Sequence, residues 1–351
     1  SQSRGLGDVY KRQIQFSAEV SSSPSYAIIT DRTLFYPEGG GQLGDQGVLL
    51  QDGVTCNVLD TRSQDGIVFH LTDLPLNLAP VKGLLNQDRR KQLMDHHTSV
   101  HIVGGAARKV LGPHVRQAGS NKGEKYARLD ITHHSRLSRK EIRIIEDLAN
   151  EIIESDIEIT REVLNRAEAD KKFGFDIYQG GPPKHDEINL ISIGDFDVQA
   201  CGGTHHDRTS KIGELRIIRS SQVQDGVERL QIVAGETSRE NSRKQERILS
   251  EASEILGVQS DDLPKAVMRF FEEWKAQQKK IKSLESEIVR LRTVGGGQDS
   301  TELDGVRYVV MEVEGDIKQM MTMLSQLTRD LEKPTLAILG TRVGCLLYTS
   351  D

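Results

Sequence analysis

The chain has no apolar run near the ~20 residues that cross a bilayer, so nothing in it reads as a membrane-spanning helix. It has few cysteines. Cys56, Cys201 and Cys345 are too few for a disulfide scaffold, which points to a reducing cytosol. The start shows no secretory signal pattern. It also lacks an excess of positive charge. The formal net charge of -6 excludes a uniformly basic coat for nucleic acid, although local basic patches remain. What is present is 351 residues of mixed composition, enough for two or three domains with real cores.

Two stretches stand out. His97-Thr98-Ser99-Val100-His101 and Cys201-Gly202-Gly203-Thr204-His205 each offer two donors four residues apart. Three imidazoles and one thiolate suit a tetrahedral zinc. The first pair lies in a helical pattern from Arg89 to about Leu111, stopped by Gly112-Pro113, so His97 and His101 share a helix face. No glutamate follows His97, which excludes the HExxH base of a metalloprotease. The second pair follows a strand, and its Gly-Gly bars a regular helix there. Either pair alone is a weak signal. Together they predict one shared metal, which either orients and polarises a substrate or only staples the fold.

The chain around them reads as α+β. Residues 14–90 are expected to form a glycine-rich, β-barrel-like subdomain. Short apolar runs at Tyr26–Thr30, Gly47–Leu50 and Gly66–His70 flank the loop that begins at Thr33 and contains Gly39, Gly40, Gly41 and Gln42. Residues 91–236 are read as an α+β domain carrying the metal. Ser138 with Glu141 is a capping box opening a helix with an Ile142, Ile145, Leu148, Ala149, Ile152, Ile153 stripe. Tyr126–Ile131 alternates like a strand, and Ile157–Thr160 reads as another before a short helix that includes Leu164. Gly180–Pro183 reads as a rigid turn. Ile188–Ile193 and Phe196–Ala200 read as a hairpin, with Ile212–Arg219 and Val227–Ala234 completing its sheet.

Residues 237–293 are predicted to form a coiled-coil hairpin. Val267, Phe270, Trp274, Gln277, Ile281, Leu284, Ile288 and Leu291 keep an a/d alternation that would pair within the chain or with a second copy. Val294–Gly297 reads as a linker, and residues 300–344 as one βαβ unit of a truncated α/β domain. The ends, 1–13 and 345–351, resemble translated sequencing adapters and are expected to be non-native.

These motifs resemble the editing domain of alanyl-tRNA synthetases and of their free-standing editing relatives. The match lies in Thr33–Gln42, His97–His101 and Cys201–His205, in that order. Tyr178–Gly181 and Asp225–Arg229 are similar to the archaeal type. The resemblance implies hydrolysis of tRNA(Ala) mischarged with serine or glycine. His97, His101, Cys201 and His205 fall on the family's ligands for one zinc. Gln117, within His114–Ser120, falls on a glutamine of the editing pocket, and Thr33 on the threonine that senses the serine hydroxyl. Gly39, Gly40, Gly41, Gln42, Gly202 and Gly203 would shape the substrate pocket. Thr98-Ser99 departs mildly from the usual Thr-Ala.

Arg89, Arg90, Lys91, Lys122 and Lys125 are expected to meet tRNA phosphates. The resemblance also implies a homodimer through the C-terminal region and a cytoplasmic role in protein biosynthesis. The ATP-using aminoacylation domain would precede residue 14, and none of its motifs is present. The alternatives are a free-standing deacylase and a non-catalytic, zinc-stapled module for tRNA binding and dimerisation.

Overall fold

The computed structural model describes residues 11–13, 26–179, 186–295, 300–312, 317–328, 334–341 and 344–349. The turn expected at Gly180–Pro183 and the linker glycines Gly296 and Gly297 lie outside these residues. The chain divides into two compact units, residues 1–247 and 248–351.

The first unit opens with six antiparallel strands: β1 (Lys11–Gln13), β2 (Tyr26–Thr30), β3 (Gly47–Gln51), β4 (Val54–Gln64), β5 (Ile67–Thr72) and β6 (Lys82–Leu85). Their order is β1-β2-β5-β4-β3-β6. This is an open sheet among the described residues, with β1 and β6 at its edges, rather than a closed barrel. It begins at Lys11, inside the stretch that the sequence suggested was foreign. Ile28, Phe35, Leu49, Cys56 and Val58 form its own apolar cluster.

Helix α1 (Gln87–Leu111) follows. Asn86 caps it by accepting a hydrogen bond from Arg89 N at 3.0 Å. Burial is nearly continuous from Leu93 to Ala107. Leu93, Val100, Ile102 and Val103 are at most 1% exposed, and each such side chain stabilises by about 2 kcal/mol. The histidines of this helix therefore sit on a rigid central rod.

Around α1 lie β7 (Gln117–Lys122), β8 (Ala127–Thr132), α2 (Arg139–Glu154), β9 (Ile159–Asn165), α3 (Arg166–Phe173), β10 (Glu187–Ile193), β11 (Asp197–Ala200), β12 (Leu215–Gln224) and β13 (Val227–Ala234). The capping box of α2 is formed, with Ser138 and Glu141 exchanging both bonds. Leu164, expected in a helix, belongs to β9. The hairpin β10–β11 pairs with β9, whereas β12 and β13 pair with β8 and β7. The single sheet expected from sequence is therefore two, with orders β11-β10-β9 and β12-β13-β8-β7. A shared core of α1, α2 and the second sheet includes Val100, Val103, Leu129, Ile131, Ile145, Leu230 and Ile232.

Helix α4 (Glu236–Leu256) carries the chain across the unit boundary. The second unit contains α5 (Leu263–Gly295), β14 (Ser300–Leu303), β15 (Val306–Glu312), α6 (Ile317–Leu327), β16 (Thr335–Thr341) and β17 (Gly344–Thr349). The expected βαβ unit is present: β15 and β16 are parallel, and β14 and β17 flank them antiparallel. Val309, Met320, Met323, Leu324, Ala337 and Leu339 are its core. The α5 stripe lies open, with Phe270 60%, Trp274 49%, Ile281 49% and Leu291 60% exposed. Among the described residues, none covers that face. No helix among the described residues is long and apolar enough to cross a membrane.

Candidate metal centre

The fold brings His97, His101, Cys201 and His205 together, with one ligand atom of each within 4.8 Å of all the others. α1 supplies the first two, one turn apart. The loop leaving β11 supplies the others, and Cys201 N is fixed by Asn189 O of β10 at 2.9 Å. Cys201 Sγ lies 3.3 Å from His97 Nε2 and 3.3 Å from His205 Nε2. A tetrahedral zinc with ordinary bond lengths sets such S···N distances at roughly 3.6 Å, so these donors need move only a few tenths of an ångström.

Two further observations fit a metal. The Nδ1 atom of His101 is buried and has no hydrogen-bond partner. A Cβ on Gly203 would lie 2.1 Å from His97 Cε1, so only glycine lets the loop close over that ring.

The outer nitrogens of two rings are held. His97 Nδ1 donates to Gln42 Oε1 at 2.7 Å, which leaves the lone pair on Nε2, beside the sulfur. His205 Nδ1 lies 3.3 Å from Thr98 Oγ1 and leaves its Nε2 turned the same way. Burial drives all three imidazoles toward the neutral, ligating form. His101 is pushed down to about 3 by burial and then by the Lys122 charge. His97 and His205 fall well below the ordinary histidine value, burial being the largest cause. Burial pushes the Cys201 thiol up, so a cation is needed to draw off its proton.

The glycine-rich loop belongs to this centre. Gln42 is 0% exposed; besides His97 it accepts from Thr204 N at 3.1 Å and donates to Thr204 Oγ1 at 2.9 Å. Its carboxamide is thus bound to protein groups, and in a pocket shaped by this loop its part is to hold His97 and Thr204. Gly41 has a φ of 78°, and a Cβ there would lie 2.3 Å from Ser120 O. That close approach splices the loop onto β7: Lys122 N donates to Gly41 O at 2.6 Å, and Leu43 N to Lys122 O at 3.3 Å. Gly39 closes the same turn with Gln42, while Gly40 and Gly202 are exposed.

A small cleft elsewhere on the same domain is lined by Val100, Gly104, Arg108, Gln117, Gln179 and Gln199. Gln117 is thus in the cleft, its backbone N donating to Gln179 Oε1 at 3.2 Å. Thr33 lies in the loop that follows β2, and its hydroxyl is largely committed. It meets His70 Nε2 at 2.8 Å and accepts from Phe35 N at 3.0 Å. His70 Nδ1 points at the Ile28 carbonyl, 3.0 Å away, so Nδ1 carries the proton and Thr33 donates to Nε2. One lone pair on Thr33 Oγ1 remains.

The five basic residues expected at tRNA divide. Lys122 is 3% exposed, and its Nζ donates to Gly40 O at 2.8 Å and Ser120 Oγ at 2.7 Å. It is an internal strut, not a phosphate contact. Burial pushes its pKa down to about 8, partly offset by Cys201. Arg89 is bound to Gly44 O and Glu124, and Arg90 to Asp45 and Leu34 O. Lys91 pairs with Asp95, which also holds His206 Nε2 at 2.7 Å. Lys125 is exposed. Sequence reasoning missed the Gln42–His97 tie because it spans 55 positions and has no local signal.

Comparison with known proteins defines the class first. Residues 7–82 match the family model of tRNA synthetases class II (A), and residues 188–231 match the Threonyl and Alanyl tRNA synthetase second additional domain. The first match runs over the opening sheet; the second covers β10 to β13, including Cys201 and His205. The chain is 42% identical to the alanine–tRNA ligase of Haloquadratum walsbyi over 91% of its own length and 34% of that relative. It is 42% identical to that of Methanothrix thermoacetophila, over 94% of the chain and 36% of the relative. For Methanobrevibacter smithii the identity is 37%, over 95% and 38%. The chain belongs to the alanyl-tRNA synthetase family, and it spans about a third of the length of these relatives.

Proposed function

We propose that this chain carries the editing activity of an alanine–tRNA ligase, hydrolysing the ester of tRNA(Ala) mischarged with serine or glycine and holding one zinc on His97, His101, Cys201 and His205. The observation that carries this reading is the convergence of those four donors, with Gln42 of the glycine-rich loop bound to His97. A zinc bound there supplies Lewis acidity toward an ester oxygen. The protein's own groups do the rest. Gln42 and Thr98 aim the imidazoles, and Gln117, by the family resemblance, serves the aminoacyl end.

Preferring serine over the smaller alanine requires rewarding a hydroxyl, whereas glycine, smaller than alanine, does not depend on that contact. The free lone pair of Thr33 Oγ1 accepts from the serine hydroxyl in this scheme, while its own proton stays on His70. Lys125 and the exposed part of Lys91 meet tRNA phosphates. The open α5 stripe supports a second copy of the chain as its cover, and the site of action is the cytoplasm. Whether the intact protein is a full ligase or a free-standing editor does not alter this chemistry.

A second reading has its own support: four protein donors make a closed set, the pattern of a structural zinc. The chain would then be a zinc-stapled tRNA-binding and dimerisation module. Incubation with Ser-tRNA(Ala), Gly-tRNA(Ala) and Ala-tRNA(Ala) separates the two. The editing reading expects release of serine and glycine but little alanine. Cys201→Ala should lose stoichiometric zinc and this activity together; full zinc by elemental analysis would refute the ligand set. Thr33→Val should slow serine release, and unchanged discrimination against alanine would remove Thr33 from the scheme.

A further inference from the structure

We propose that His114, His133 and His134 form a second site for a divalent transition metal, on the surface of the first unit and separate from the four-donor centre. One ring nitrogen of each lies within 4.8 Å of the other two. The nearest pair, His114 Nε2 and His133 Nδ1, is 2.9 Å apart. Three imidazole nitrogens are the donor set that suits zinc, cobalt, nickel and copper.

The backbone under these rings is fixed. His114 lies in the short turn between α1 and β7, where Val115 N donates to Gly112 O at 3.2 Å and Thr132 Oγ1 donates to His114 O at 2.8 Å. His133 and His134 directly follow β8, and His133 N donates to Gly226 O at 2.9 Å. The rings crowd one another, with centroids 5.1 Å apart for His114 and His133, 4.4 Å for His133 and His134, and 5.5 Å for His114 and His134. Three protonated rings at these distances would repel. Burial, and then His134 and His114, accordingly hold His133 below the ordinary histidine value.

A separate observation also favours a cation here. Glu228 is 1% exposed; Ser220 Oγ donates to its Oε2 at 3.0 Å, but its Oε1 is buried without a hydrogen-bond partner. Its charge reaches His133, as does that of Glu141. Buried, incompletely paired negative charge beside clustered imidazole nitrogens is the electrostatic setting of a metal site.

Zinc–nitrogen bonds of 2.0–2.1 Å in tetrahedral geometry place two nitrogens roughly 3.3 Å apart. The His114–His133 pair must therefore open by about 0.4 Å from its present hydrogen bond. His114 is exposed and free to turn by that amount, and its ring proton and that of His133 then occupy the outer nitrogens. His134 is exposed as well, so a fourth position faces solvent. Such a site is of the open, three-ligand kind.

The test is a titration of the full chain, stripped of metal, with cobalt(II) alone. The wild type is expected to take up two equivalents. One shows the near-ultraviolet band of thiolate-to-cobalt charge transfer, and the other does not. His134→Ala and, separately, His114→Ala should each bind one equivalent and keep the thiolate band, because both side chains are exposed and neither touches the four-donor centre. Cys201→Ala should retain the equivalent that lacks the band. A wild type that stops at one equivalent, or two equivalents persisting in both histidine variants, overturns the proposal.

Discussion

Replacing Gln42 with methionine tests how the glycine-rich loop serves the metal centre. The change nearly conserves volume but leaves His97 Nδ1–H and Thr204 N–H without their acceptor, at a position that is 0% exposed. Each unpaired buried donor costs about 1–3 kcal/mol, so the stripped protein should lose about 2–6 kcal/mol of stability. The backbone splice between Gly41, Leu43 and Lys122 does not involve the side chain, so the loop stays docked. Zinc affinity senses only the His97 part. Losing the group that orients a ligating imidazole costs about 10–100-fold, or about 1.4–2.7 kcal/mol. The assays are competition for zinc against a chromophoric chelator and urea unfolding of the metal-free chain. Gln42→Glu is the control: a carboxylate accepts from both donors and adds negative charge, so affinity should match or exceed that of the wild type. A Gln42→Met variant within threefold of wild-type affinity would refute the claim that this loop aims His97.

Three further outcomes follow from the same geometry. Gly203→Ala should weaken zinc binding at least tenfold while leaving the far-ultraviolet dichroism intact, because the new Cβ falls 2.1 Å from His97 Cε1 in an otherwise continuous fold. Lys122 and Lys125 should separate in tRNA binding: Lys125→Ala lowers the salt dependence of affinity by about one unit of slope, whereas Lys122→Met lowers stability by about 1.5–3 kcal/mol and leaves the slope unchanged. Asp197 is 7% exposed, and burial raises its pKa to about 6, partly offset by Arg108. The native state therefore binds this proton more tightly than the unfolded chain does. Its stabilising effect is complete below about pH 4 and is lost as pH rises to about 6. Urea unfolding should show Asp197→Asn gaining about 2–3 kcal/mol on the wild type across that window, and a constant difference would contradict the assignment.

The four donors were legible because their constraint is local. A helix must place two ligands at i and i+4, and a strand end must curl through glycines to offer two more. The capping box at Ser138 and the hairpin at Gly194-Asp195 were legible for the same reason. Strand β7 was not. Gln117-Ala118-Gly119-Ser120-Asn121-Lys122 has no apolar alternation, because it receives the glycine loop by backbone bonds and close approach instead of side-chain packing. Lys122 looked like part of a basic surface cluster; its burial depends on Gly40 and Ser120, and Gly40 lies more than eighty positions upstream. The division of β9–β13 into two sheets was hidden too, since strand pairing across long separations leaves no period in the sequence. The group of His114, His133 and His134 left no signal of its own either, since the dipeptide's third partner comes from the turn before β7.

The splice at Gly41 joins two regions that each have an apolar cluster of their own, one within the first sheet and one around α1. Gln42 crosses that seam to hold a ring on the far side. Reciprocity then applies: whatever factor the docked loop adds to the grip on an ion, the ion returns to the docking of the loop. A loaded chain should melt both regions in a single cooperative step, whereas a stripped one should let the first sheet loosen ahead of the rest. With an ion on the four donors, the seam would tie the mechanical continuity of the unit to metal supply.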